Sequence, residues 1–157
     1  MAIENDAQLY STTSLIINEA MEYVMQKMYD MYKDLIDEIV YNTEYPVLYD
    51  RTYEFAESWQ KDVQQNGMGA QGTITQDYSL MSFDPDTYTH GSQYGDARPF
   101  LANIIYEGLA GPLFGDGWWR NARDAWTPLI NKLESGQLDK WFRQGMDLAG
   151  GLRLQKV

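Results

Sequence analysis

Residues 59–83 read WQKDVQQNGMGAQGTITQDYSLMSF, and this stretch decides the fold class. The segment from Trp59 to Gln65 suits a strand. Asn66-Gly67-Met68-Gly69-Ala70-Gln71-Gly72 is dense in residues that favour turns. In residues 73–83, Ile74, Tyr78, Leu80 and Phe83 roughly suit a strand, and the threonines agree with extended backbone. Two strands around a turn make a long β-hairpin, the start of an antiparallel sheet.

Before the hairpin, residues 12–41 carry a helical pattern. Ile16, Ala20, Val24, Met28, Met31, Leu35 and Ile39 recur at steps of three and four, which is one apolar stripe. Such a helix, about 28 residues long, is a rod of about 40 Å. Ser11-Thr12-Thr13-Ser14 offers N-cap candidates, and Pro46 closes the helix because the residue before proline is driven out of the α region. An extended stretch then leads to a helical turn capped by Asp50 or Thr52. After the hairpin, 84–99 reads as a loop. Residues 100–107 are apolar, with helix and strand both open, and 108–117 is a glycine-rich loop ending in Trp118-Trp119. Thr127-Pro128 signals a helix start, with Thr127 as N-cap, and Ser135-Gly136 ends that helix. A last helix spans 137–149. The expectation is an α+β protein in which a long N-terminal helix packs on a small antiparallel sheet, followed by short C-terminal helices. No repeat or low-complexity linker interrupts the chain, so 1–157 is expected to be a single domain.

Composition narrows the functions. At 157 residues with 44% hydrophobic side chains, the chain can bury a core. No apolar run approaches a membrane span, and the acidic N-terminus lacks the pattern of a signal peptide, so synthesis and assembly in the cytoplasm are expected. There is no cysteine, which removes disulfides, thiolate metal sites and cysteine nucleophiles, and the one histidine is His90. Of the net charge of −11, residues 1–90 carry −12 and residues 91–157 carry +1. The N-terminal part therefore repels nucleic acid. Twelve Tyr, five Trp and five Phe exceed what the expected core uses, which points to contact surfaces. Arg51, Trp59, Tyr88, Tyr94, Trp118 and Trp119 are the interface candidates.

Chemistry is sparse. Asp84-Pro85-Asp86-Thr87-Tyr88-Thr89-His90 holds two carboxylates and an imidazole, but a calcium loop would need Gly and Glu where Thr89 and Gly95 stand. A turn capped by its own aspartates is the better reading. Glu54 with Glu57, or Asp34 with Asp37, could serve as paired carboxylates, but acidic helix faces are commonly just solvated. Gly108-Leu109-Ala110-Gly111-Pro112-Leu113-Phe114-Gly115 lacks the Lys-Ser/Thr of a phosphate loop. No catalytic residue, cofactor or metal is assigned.

Two stretches carry a family resemblance. Tyr45-Pro46-Val47-Leu48-Tyr49-Asp50-Arg51-Thr52-Tyr53-Glu54-Phe55-Ala56-Glu57-Ser58-Trp59 resembles the segment after the first long helix of the minor neck and tail-completion proteins of tailed bacteriophages, with Pro46, Thr52, Phe55 and Ser58 at the matching positions. Leu101-Ala102-Asn103-Ile104-Ile105-Tyr106-Glu107-Gly108 is similar to that family's apolar segment ending in Glu-x-Gly. Residues 121–129 are similar to its approach to the C-terminal helix, with Asp124 and Ala125 in place of Pro-Phe. The resemblance covers 10–135, leaving 136–157 as an additional helix and tail. It implies a non-enzymatic virion protein, made in the host cytoplasm. Its copies would form a ring, often hexameric, that joins the head connector or stopper to the tail and passes DNA without binding it specifically. Two other classes fit the composition: an acidic DNA mimic that occludes a host nucleic-acid-binding protein, and a carbohydrate-binding tail accessory using Trp118, Trp119, Tyr88 and Asp116.

Overall fold

The computed structural model describes residues 6–43, 53–82, 96, 98–108 and 121–154, the last four of these as backbone only. Helix α1 spans Asp6–Leu35 and continues as a π-helical turn over Ile36–Tyr41. Next come α2 (Glu54–Glu57), β1 (Trp59–Asn66), β2 (Gly69–Gln76) and a 3-10 turn at Tyr78–Leu80. A second 3-10 turn at Arg98–Phe100 leads into α3 (Leu101–Glu107). The chain then forms α4 (Trp126–Lys132), a π turn over Leu133–Gln137, and α5 (Leu138–Leu154). This is the α+β architecture expected: a long helix, a hairpin and C-terminal helices. The apolar segment 100–107, open by pattern, is helical.

The chain divides into two compact units. Unit 1 comprises Met1–Met31, Lys61–Thr75 and Ile130–Val157, and unit 2 comprises Tyr32–Gln60 and Gln76–Leu129. In unit 1, Ala20, Val24 and Met25 of α1 are buried, as are Trp141, Gly145 and Ala149, which recur every fourth residue along α5. A Cβ built on Gly145 would lie 2.9 Å from Ala20 Cα, so the missing side chain is what lets the two helix backbones approach. The hairpin presents Ala70, Gly72 and Ile74 inward, with Gly69, Gln71, Thr73 and Thr75 exposed, the alternation that a half-buried strand requires. Met25 lies over Gly72, in space that a Cβ there would occupy.

Several local expectations change. Helix α1 begins at Asp6, so the Ser11–Ser14 cluster lies inside it and caps nothing. Ser14 is 2% exposed and donates its hydroxyl to Gly67 O at 3.1 Å, while Gln65 Nε2 donates to Ser14 Oγ. The serine is spent on holding the hairpin turn. The turn is shorter than expected. Only Gly67 and Met68 separate the strands, with Gly67 at φ 60 and Met68 at negative φ, the pattern of a type II′ turn. Strand β2 accordingly starts at Gly69 and ends at Gln76, and Tyr78 and Leu80 sit on a 3-10 turn rather than in the strand.

In unit 2 the core gathers Tyr32, Ile36, Val40, Phe55, Trp59, Ile105 and Leu129. Of the expected stripe on α1, Ala20, Val24 and Leu35 are buried, but Ile39 is only half-buried, and Val40 and Tyr41 face the core instead. The π turn adds about one residue to the last turn and so advances the phase. Tyr53 caps α2 with its backbone oxygen, which accepts from Ala56 N at 3.0 Å, while its own side chain makes no cap; the Tyr41 hydroxyl also accepts from Ala56 N, at 3.1 Å. The Asp50 and Thr52 cap candidates lie outside the described residues. Helix α4 starts at Trp126, not at Thr127-Pro128, because Asp124 accepts from Trp126 N at 2.8 Å and Thr127 N at 3.1 Å. Gly136, at φ 97, breaks the helix there as expected. Helix α5 runs through Gly150-Gly151 to Leu154, past the expected end at 149.

Candidate functional site

Arg51, Tyr88, Tyr94, Trp118 and Trp119 lie outside the described residues, and so does the Asp84–His90 motif. Trp59, the remaining interface candidate, is not a surface residue: it is 8% exposed and belongs to the core of unit 2. Its ring meets Tyr32 edge-on at 5.0 Å and stacks on Trp126 at 6.4 Å, and Phe55 closes a third side at 6.1 Å. Aromatic edges and faces packed this way fix each other's orientation as well as burying area. Trp59 Nε1 is the one buried side-chain nitrogen or oxygen without a hydrogen-bond partner among the described residues.

The polar groups of this cluster serve structure. Tyr32 and Tyr106 share a hydrogen bond between their hydroxyls. Burial pushes the Tyr32 phenol well above the usual tyrosine range, and the neighbouring Tyr106 adds to it. Burial likewise raises Tyr106. Burial opposes ionisation of Asp124, but the hydrogen bonds it accepts from Thr127 and Trp126 outweigh that and hold its carboxyl below the usual carboxylate range. Ser58, fully buried, donates to Phe55 O at 2.8 Å and accepts from Gln76 Nε2 at 3.2 Å, while its backbone oxygen takes Asp77 N at 2.7 Å. It closes the base of the hairpin.

Glu54 accepts from Ser82 N at 2.8 Å and from Ser82 Oγ at 2.7 Å, which ties the segment after the Tyr78–Leu80 turn to α2. Asp34 on α1 and Asp37 on the π turn that follows it are exposed. Among the described residues no group of three metal-ligating side chains comes together, and no helix is long and apolar enough to cross a membrane.

What unit 2 does display is apolar surface. The turn Tyr78–Leu80 packs against both α2 and the turn Arg98–Phe100. Arg98 Nη1 donates to Met81 O at 2.8 Å, and Arg98 pairs with Asp96 at 2.7 Å. The hydrogen bond from Arg98 holds Asp96 below the usual carboxylate range. On this scaffold Tyr78, Leu80 and Phe100 stand 47, 50 and 62% exposed, and Tyr53 is exposed as well. Unit 1 exposes Leu9, Tyr10 and Leu15 near the start of α1, and Met68 at the hairpin tip. None of these was singled out as a contact residue from sequence. By pattern Tyr78 and Leu80 suit a strand, where alternate residues turn inward, and the 3-10 turn leaves both out.

No protein-family model, curated protein or solved structure matches this chain.

Proposed function

We propose that this chain is a non-enzymatic structural protein of a tailed bacteriophage, one of the copies that form a neck or tail-completion ring between the head connector and the tail. The observation that carries the reading is the exposed apolar surface of Tyr78, Leu80 and Phe100, held on two short turns by Arg98 and Glu54. Large apolar side chains fixed in water by charge-assisted hydrogen bonds are what a contact between subunits uses. The order of elements and the Phe55 and Ser58 positions, both buried, support the family resemblance. The acidic stripe of α1 suits a wall past which DNA slides: Glu19, Glu22, Asp30, Asp34 and Asp37 are exposed at helical spacing.

The test is the mass of the purified protein by light scattering over a concentration series, followed by electron microscopy. Closed rings, six-fold in the expected case, support the reading. Rings that form normally when Leu80 and Phe100 are both changed to serine would remove the observation on which it stands.

The same acidic stripe supports a second reading, a DNA mimic. A pull-down from host lysate that recovers a nucleic-acid-binding protein, released by competing duplex DNA, would favour it.

A further inference from the structure

The hairpin register can be read from one bond. Asp77 N donates to Ser58 O at 2.7 Å, so 58 and 77 are a hydrogen-bonded pair, and the two-residue turn makes Asn66 and Gly69 another. Counting between them, Gly69, Gln71, Thr73 and Thr75 direct their backbone groups at β1. Ala70, Gly72 and Ile74 direct their N–H and C=O groups away from it, along the outer edge of β2. Among the described residues the sheet has only two strands, so no third strand takes these groups.

Natural proteins guard such edges with charge, proline or bulges. Strand β1 carries Lys61 and Asp62. Strand β2, Gly69–Gln76, has eight residues without a single charged side chain or proline. Residues 1–90, which include both strands, carry −12 and α1 is lined with carboxylates, so contact between two copies through this part of the chain is opposed by like charge. Within that part the β2 edge brings no charge of its own, and its outward backbone groups have no strand partner among the described residues.

We propose that the outer edge of β2 is a self-association surface, on which β2 of a second copy pairs antiparallel about a two-fold axis at Gly72. The edge is self-complementary in this register. Ala70 faces Ile74 of the second copy, Gly72 faces Gly72, and each of these pairs exchanges hydrogen bonds. On the exposed face, Gln71 then stands directly opposite Thr73 of the second copy. The occupant is a second copy rather than a foreign strand because one set of residues satisfies both edges at once and adds no charge to the joint. The contact joins copies in twos and does not depend on the ring reading.

The register gives a charge-swap test on exposed positions that the hairpin's inner face does not use. Gln71→Lys with Thr73→Lys sets like charges opposite each other across the joint, twice. Gln71→Glu with Thr73→Lys sets opposite charges there and also places a cation across from Asp62 within the hairpin. Light scattering over a concentration series, with circular dichroism to confirm the fold, should show even-numbered species for the wild type. The double-lysine variant should associate at least about tenfold more weakly, and the Glu/Lys variant should recover. A wild type that is monomeric at every concentration overturns the proposal, as does a double-lysine variant with wild-type mass, or a Glu/Lys variant as weak as the double-lysine one. Rings whose copy number survives the double-lysine change overturn this contact and leave the ring reading standing. Pairs without rings do the reverse.

Discussion

Gly145 of α5 lies against Ala20 of α1 so closely that its missing Cβ would meet both the Ala20 Cα and the Ala20 carbonyl oxygen at 2.9 Å. A glycine inside a helix costs about 1 kcal/mol against alanine, so propensity alone favours replacement. Backbone cannot give way as a flexible side chain can, and overpacking costs about 1–3 kcal/mol. Gly145→Ala should therefore lower stability despite the better helix former. Chemical denaturation checks the sign, and a stabilised variant would mean that the helices do not meet as described.

Ser14→Ala should cost about 1 kcal/mol, because it removes the donor to Gly67 O and the acceptor for Gln65 in a buried place. Ser11→Ala, at an exposed position on the same helix, should cost close to nothing. Equal effects in a denaturation series would restore the cap reading of this cluster.

Asp124→Ala should cost about 1 kcal/mol at neutral pH through loss of the α4 cap. The Asp124 carboxyl titrates lower in the folded protein than in the unfolded chain, so its contribution is present above the ordinary aspartate pKa of about 4 and is lost as pH falls below it. The stability gap between wild type and variant should close on acidification, as thermal unfolding at several pH values would show.

Tyr32 and Tyr106 titrate above their unfolded values, so the sign is opposite. Their contribution is intact below the ordinary tyrosine pKa of about 10 and declines as pH rises beyond it. Tyr32→Phe, which gives up the hydroxyl pair, should lose about 1 kcal/mol at neutral pH and show a shallower alkaline decline. Stability measured from neutral to strongly alkaline pH tests both parts.

Leu80→Ser with Phe100→Ser should change stability by less than about 0.5 kcal/mol, since both side chains are half-exposed or more. The same pair should weaken self-association, read as a fall in mass at fixed concentration. Loss of folding instead would move these residues from the contact surface to the core.

The long helix and the hairpin were legible because their signals are periodic over many residues. What escaped was decided by contacts between distant parts of the chain. Gly72 looks like a turn glycine beside Gly67 and Gly69, yet it sits in β2 because Met25 needs the space of its side chain. Ser14 looks like a cap, yet its hydroxyl is committed to a turn 53 residues away. Trp59 was read as a surface anchor, and no local pattern announces that Tyr32, Phe55 and Trp126 enclose it. The apolar surface at Tyr78, Leu80 and Phe100 depends on where Arg98 finds a carbonyl, which no spacing rule contains.

The segments of the two units alternate along the chain, and this has a consequence for biosynthesis. Unit 2 has all its parts once residue 129 has left the ribosome, whereas unit 1 needs the segment that begins at Ile130, whose Gly145 lies against Ala20 of α1. The α1 face at Ala20 that Gly145 packs against must wait, uncovered by α5, through nearly the whole of translation. Unit 1 therefore closes only after its last segment is made, and a transcript cut short before Trp141 would release a chain with that face bare, prone to aggregate and open to proteases.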